Sequence, residues 1–244
     1  MTAVGAGLHV LDQAAWASLT GPHAHFAQGA GLALRYPEDV SPIMAVSPVP
    51  DEQVWTDLLG LVGPGGVALL SGTLPPVPDD WEIEFQGDGV QLIATDALES
   101  RPSGSLVTLG AADVPEMLDL VARTQPGPFK PRTHLLGTYL GVRRAGALVA
   151  MAGERLHPPG WTEISAVCTD PAHRGQGLAT TLVRAIAHNI RERGETPFMH
   201  AAGDNVDAVR LYRSIGFELR RHVLFSVLRS PKASSPKGTG REPQ

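Results

Sequence analysis

The sequence predicts a mixed α/β fold, and three observations carry that expectation. Segments with strand and helix periodicity alternate as β-α-β-β-β-α-β-α-β across residues 105–229. Within that run, a glycine-rich turn joins a strand to a long amphipathic helix. The composition is globular: 43% of the 244 residues are apolar and 18% are charged, which excludes a disordered polymer. A chain of this length can bury enough surface to fold without a disulfide or metal staple.

The elements follow in order. Apolar residues at helical spacing occupy 11–19, a strand-like stretch follows at 31–36, and Pro48 and Pro50 precede a helix over 52–62. Strands are expected at 67–70, 81–85 and 90–94, with a proline-rich turn at 74–80. Glu82 and Glu84 alternate with Trp81, Ile83 and Phe85, the pattern of a half-exposed strand. The polar stretch 99–105 marks a boundary between an N-terminal α/β lobe (1–100) and a second domain (105–229). In the second domain a short strand at 106–109 leads to a helix over 111–122, with Val114, Met117, Leu118, Leu120 and Val121 on or near one face. A hairpin is expected from 138–142 and 148–153 around Arg143-Arg144-Ala145-Gly146. Then come a strand at 162–169, a helix at 178–192 stopped by Gly194, a strand at 198–202, a helix at 206–214 ending at Gly216, and a strand at 217–228. Residues 230–244 have the composition of a disordered tail.

Charge is unevenly distributed. Residues 1–100 carry one Arg against thirteen acids, a net of -12, and the remainder carries +7, for -5 overall. Such asymmetry points to different partners for the two halves or to a solvated acidic face. Nucleic-acid binding is not expected, because the basic residues lack aromatic interleaving and the chain as a whole is acidic. The single cysteine, Cys168, cannot form an internal disulfide, and no apolar run reaches the length of a membrane-spanning helix. The start of the chain lacks a basic leader, so a cytoplasmic protein without a membrane partner is expected, as a monomer or homodimer. His23 and His25 flank one residue but have no accompanying ligand pattern, so no metal site is expected.

Chemistry concentrates where the strand ending at Thr169 meets Asp170-Pro171-Ala172-His173-Arg174-Gly175-Gln176-Gly177-Leu178-Ala179-Thr180. Glycines let backbone N–H groups approach a ligand, and the helix terminus adds partial positive charge, so the pair can hold a phosphate. Helix starts also use glycine for packing alone. The dinucleotide G-x-G-x-x-G fingerprint is absent, and no Lys-Ser/Thr pair follows the glycines as in a Walker A loop.

These residues resemble the GNAT superfamily of N-acetyltransferases, whose Arg/Gln-x-x-Gly-x-Gly/Ala signature stands here as Arg174-Gly175-Gln176-Gly177-Leu178-Ala179. A second signature, Asn…Ala…Tyr…Gly-Phe, stands as Asn205, Ala208, Tyr212, Gly216 and Phe217. The resemblance covers residues 105–229, and this half is similar to the acetyltransferase domain of glycine N-acyltransferase-like proteins. The mixed α/β pattern of the N-terminal lobe fits a degenerate GNAT-like half that helps form the acceptor pocket, and the resemblance implies a mixed central sheet, splayed into a V and flanked by helices. It also implies acetyl-CoA as cosubstrate and a small-molecule or peptide amine as acceptor, attacked directly in a ternary complex.

Residue by residue, the resemblance places pyrophosphate on the amides of Gly175, Gln176, Gly177, Leu178, Ala179 and Thr180, with Arg174 beside it. Val167, Cys168 and Thr169 would offer strand backbone to the pantetheine arm. Asn205 would face the cofactor, serve as a plain N-cap, or do both. Tyr212 is the expected general acid for the departing thiolate, against a core tyrosine sharing a face with Ala208, Leu211 and Ile215. Glu163 is a candidate general base with a raised pKa, against a solvated surface carboxylate. Strand alternation would set Glu163, Ser165 and Val167 on one face and Ile164, Ala166 and Cys168 on the other. Cys168 reads as a buried structural thiol, while turn and core roles explain His173 and His200. A non-catalytic acyl-CoA-binding module is the alternative function.

Overall fold

The computed structural model describes residues 8–72, 74–102 and 104–232. Its N-terminal part begins with helix α1 (Ala14–Leu19), followed by the strands β1 (Gln28–Ala30), β2 (Ala33–Arg35) and β3 (Met44–Val46), then helix α2 (Gln53–Val62). The three short strands form an antiparallel sheet of their own. The sequence shows only the middle one, because strands of three residues are too short to display a period.

Next come β4 (Val67–Ser71) and β5 (Glu82–Ala94). The two strands expected at 81–85 and 90–94 are one continuous strand. Gly87 and Gly89, in the gap between them, make room for aromatic rings: a Cβ on Gly89 would collide with the Phe225 ring, and one on Gly87 with the Phe85 ring. After the 99–105 stretch the predicted order appears in full: β6 (Val107–Leu109), α3 (Val114–Thr124), β7 (Tyr139–Arg144), β8 (Ala147–Glu154), β9 (Trp161–Thr169), α4 (Leu178–Glu192), β10 (Thr196–Ala202), α5 (Val206–Ser214) and β11 (Phe217–Arg229).

One eight-stranded sheet of order β4-β11-β5-β10-β9-β8-β7-β6 joins strands from both sides of residues 99–105. All its pairings are antiparallel except β9 with β10. That parallel pairing is brief: Thr196, Pro197 and Phe198 face Trp161, Thr162 and Glu163, and the register goes no further. Beyond it β10 stays with β5, to Ala202↔Gly89, while β9 stays with β8. The sheet therefore opens into a V between β9 and β10.

Helices cover both faces. The helix α4 starts after Gly177 and ends before Gly194, whose φ of 77° is the left-handed conformation of a glycine C-terminal stop. Its Leu182, Val183, Ile186 and Ile190 are fully buried and pack with Leu140, Ala150, Ile164 and Met199 of the sheet. Each such side chain contributes roughly 1.5–3 kcal/mol of burial. On the opposite face, Met117 and Leu120 of α3 pack against Tyr139, Met151 and Cys168. Phe198, Leu136 and Leu156 share a third core with Leu11, Leu19 and Tyr36 of the N-terminal segment.

The strand β9 departs from simple alternation. Its register against β8 runs from Met151↔Cys168 to Gly153↔Ser165, so β9 carries one extra residue, and Ala166 has φ 51°. Across this bulge Ile164 and Val167 face α4, while Ala166 and Cys168 face α3. The expected grouping of Ile164 with Cys168 is thus corrected. Of the expected tail, residue 230 is packed, with Ser230 Oγ donating to the Gly63 carbonyl at 2.6 Å. Residues 233–244 lie outside the described residues.

Candidate functional site

The glycine turn sits at the mouth of the V. The Asp170 carboxylate accepts from the Ala172 N–H at 2.9 Å and turns the chain out of β9. Gly175 and Gly177 then take φ values of 75° and 70°. A Cβ built on either meets no atom within 4 Å. Packing therefore does not require these glycines. The left-handed backbone does, and it leaves open space above the turn. No side chain caps the start of α4, so its first amides point into that space.

The space is a cavity of about 430 Å³. Of the residues expected to hold the cofactor, Val167, Cys168, Thr169, Arg174, Gly175, Gly177, Leu178, Ala179, Thr180 and Asn205 all line it, and Gln176 does not. Thr169 Oγ1 and His173 Nδ1 are buried on this wall without a hydrogen-bond partner among the described residues. Arg174 is exposed and donates from Nε to the Thr169 carbonyl at 3.3 Å.

A second, larger cavity of about 990 Å³ occupies the V itself. Val167, Asn205, Gln125 and Pro126 line both cavities and join them. The second is walled by the edge of β9 that β10 leaves unpaired, by Tyr212 and His200, and by Leu69, Phe85 and Asp88 from the first hundred residues.

Tyr212 lies on α5, whose start is fixed by Asn205: its Oδ1 accepts from the Ala208 N–H at 3.2 Å. Asn205 is therefore an N-cap that also lines both cavities. Tyr212 is 7% exposed, packs near Phe217 and lines the V. Burial, with a smaller contribution from Cys168, pushes its hydroxyl up to about 12, so it stays protonated through neutral pH. Cys168 is likewise buried, and burial pushes its thiol up to about 11, so a thiolate is disfavoured.

Glu163 differs from both expectations for it. The side chain is fully buried and lines neither cavity. Arg155 donates to it from Nε at 2.8 Å and from Nη2 at 2.6 Å, and His200 Nδ1 lies 2.8 Å away. Burial alone would raise its pKa. The charge and hydrogen bonds of Arg155, aided by His200, outweigh burial and hold the carboxyl well below the usual range. It is neither a surface carboxylate nor a group with a raised pKa.

The network continues past His200, whose Nε2 lies 3.0 Å from Gln91 Nε2. Gln91 also donates to the Leu11 carbonyl, and its oxygen accepts from Arg220, which fixes the amide's orientation. His200 therefore accepts at Nε2 and donates from Nδ1 to Glu163. Sequence reasoning did not find Arg155, which sits in a loop after β8 with no motif around it. It also passed over Phe85 and Phe225. The Gly87-Asp88-Gly89 step inside a strand was a signal of close approach that could have located them.

Comparison with known proteins places these features in a family context. Residues 139–226 match the family model for FR47-like protein. A solved structure of a GNAT-family protein from Novosphingobium aromaticivorans is 35% identical, with a TM-score of 0.83 over 93% of this chain and 100% of that one. A GCN5-related N-acetyltransferase from Kribbella flavida shares the fold at 20% identity, with a TM-score of 0.59 over 91% of this chain and 96% of the other. Among curated proteins, the N-alpha-acetyltransferase RimI of Mycobacterium tuberculosis is 37% identical over 83 residues, 33% of this chain and 51% of RimI. A mycothiol acetyltransferase of Thermomonospora curvata is 32% identical over 126 residues, 49% of this chain and 40% of that protein. The chain thus spans about half or less of these curated relatives' length.

Proposed function

The chain belongs to the GNAT superfamily of acetyltransferases, and from that premise we propose that it transfers an acetyl group from acetyl-CoA to a primary amine by direct attack in a ternary complex. One observation carries this reading. The open cradle over Gly175 and Gly177 continues, past Val167 and Asn205, into a cavity that Tyr212 lines.

The residues fit the cosubstrate. Arg174 and the amides from Gly175 to Thr180 would hold the pyrophosphate, and the unpaired edge of β9 at Val167, Cys168 and Thr169 would pair with the pantetheine arm. Bound acetyl-CoA supplies the thioester as acyl donor. Tyr212, protonated at neutral pH, donates its proton to the leaving sulfur. Glu163 enters as the buried group that fixes Arg155 and His200 on the cavity wall, and solvent in the open V takes the amine's proton. The first hundred residues, proposed as a degenerate GNAT-like half, supply the acceptor side through Leu69, Phe85 and Asp88. The likeness to glycine N-acyltransferase-like domains and a cytoplasmic setting belong to the same proposal.

Tyr212→Phe tests it. The hydroxyl is removed while the ring stays packed. The acetylation rate should fall about 10²–10⁴-fold, the usual contribution of a positioned acid, with CoA affinity retained. Turnover unchanged in that variant contradicts the role of Tyr212. Tight acetyl-CoA binding with no amine acetylated by the wild type would identify a non-catalytic acyl-CoA-binding module.

A further inference from the structure

Resting on the acetyltransferase reading above, we infer that the acceptor is a primary amine carried on an apolar, aromatic-sized body, with no carboxylate beside the amine. The cavity in the V is large enough for a body of that size and is lined by Phe85 and Phe225. Both rings occupy space that β5 yields through Gly87 and Gly89. The Phe225 ring stands edge-on to His200, with centroids 6.1 Å apart. Phe85 is 54% exposed although it borders the cavity, so an apolar ligand would cover surface that the fold leaves bare. Ile43, Leu69 and Ile164 extend the same apolar wall.

The charges on this wall select against an anionic acceptor. Its guanidinium, Arg155, is held in two hydrogen bonds by Glu163, so the two charges cancel. His200 is engaged by Glu163 and Gln91, and the second imidazole on the wall, His222, is exposed. Asp88 and Asp204, both exposed, add two carboxylates that no ion pair among the described residues neutralises. An incoming ammonium meets favourable charge, whereas a carboxylate on the acceptor meets two like charges and no free arginine or lysine among the described residues on this wall. The aromatic rings supply the body's contacts, and the two carboxylates, with no free arginine or lysine among the described lining residues, disfavour free amino acids.

The test measures thiol release from acetyl-CoA by the full chain, with 2-phenylethylamine, phenylalaninamide, phenylalanine and ethylamine as acceptors. The kcat/KM for the first two should exceed that for phenylalanine, which adds the carboxylate, and that for ethylamine, which lacks the ring, by at least tenfold. Phe225→Ala should raise KM for 2-phenylethylamine at least fivefold more than it raises that for ethylamine. Asp88→Asn combined with Asp204→Asn should narrow the gap to phenylalanine. Phenylalanine or ethylamine used as well as 2-phenylethylamine overturns the inference. So does a protein that acetyl-CoA stabilises against heat but that acetylates neither aromatic amine. If acetyl-CoA gives no thermal stabilisation and no amine is acetylated, the acetyltransferase reading itself fails, and the acceptor inference falls with it.

Discussion

At the scale of single residues, Glu163 shows how burial and pairing compete. A carboxylate on a half-buried strand invites a raised pKa. Removed from water entirely, it is tolerated only because Arg155 and His200 bind it. Glu163→Gln would leave the Arg155 guanidinium buried without its counter-charge, and the expected cost is about 3–5 kcal/mol of unfolding free energy. A surface carboxylate would cost within about 0.5 kcal/mol. The pH dependence has a definite sign. The folded pKa lies below the unfolded value of about 4.3, so the stabilisation is complete above that pH and is lost on further acidification. Denaturant titrations of both proteins at pH 7 and pH 3 check this, with the wild type's advantage over the variant smaller at pH 3. A variant as stable as wild type at pH 7 would show that the pair contributes nothing.

At the scale of elements, the bulge in β9 places the site. Ala166 holds a left-handed φ of 51° at 8% exposure, next to the strand edge that lines both cavities. Valine is favoured in ordinary strands, but a β-branched side chain fits this backbone poorly. Ala166→Val should therefore destabilise the fold by about 1–3 kcal/mol, the cost of backbone strain in a rare conformation. If thermal unfolding instead finds Ala166→Val more stable than wild type, the strand is regular in solution.

Much at this scale was legible in the sequence. The helices at 178–192 and 206–214 have the bounds that their apolar spacing and flanking glycines suggest. The order β-α-β-β-β-α-β-α-β also stands as expected. The glycine turn was legible because its residues are contiguous. The partners of Glu163 were not, since Arg155 meets it through an irregular loop pairing after β8 and His200 reaches it from β10, 37 residues on, and no local pattern encodes either contact. The bulge escaped notice because alternation assumes one residue per pair, and Ala166 carries no mark of its conformation. The join of 81–85 to 90–94 escaped notice because glycines inserted for aromatic rings look the same as glycines in turns.

At the scale of the whole molecule, the charge asymmetry acquires a physical account. Asp12 pairs with Arg220 and Arg221 at 2.6 and 2.8 Å, Asp39 with Arg132 at 3.1 Å, and Glu84 with Arg229. Acids of the first hundred residues thus meet bases of the remainder within one fold. Surface pairs of this kind contribute little stability individually, and their complementarity favours the observed arrangement of β4, β5 and β11. Asp88 and Asp204 stay outside this neutralisation and give the V its negative charge. The same sheet, splayed between β9 and β10, opens one continuous space from the glycine turn to Phe85 and Phe225.

The decisive measurement is a thermal-shift titration of the wild type and Gly177→Glu with acetyl-CoA, CoA and a nicotinamide nucleotide. Wild type should be stabilised by both CoA species, by about 2.7 kcal/mol at a ligand concentration of 100 Kd, and not by the nucleotide. A glutamate at position 177 would enter the open space above the turn with a negative charge. The variant should keep a cooperative transition of its own but lose the ligand-dependent shift. No shift with either CoA species, or an equal shift in Gly177→Glu, would contradict binding at the turn.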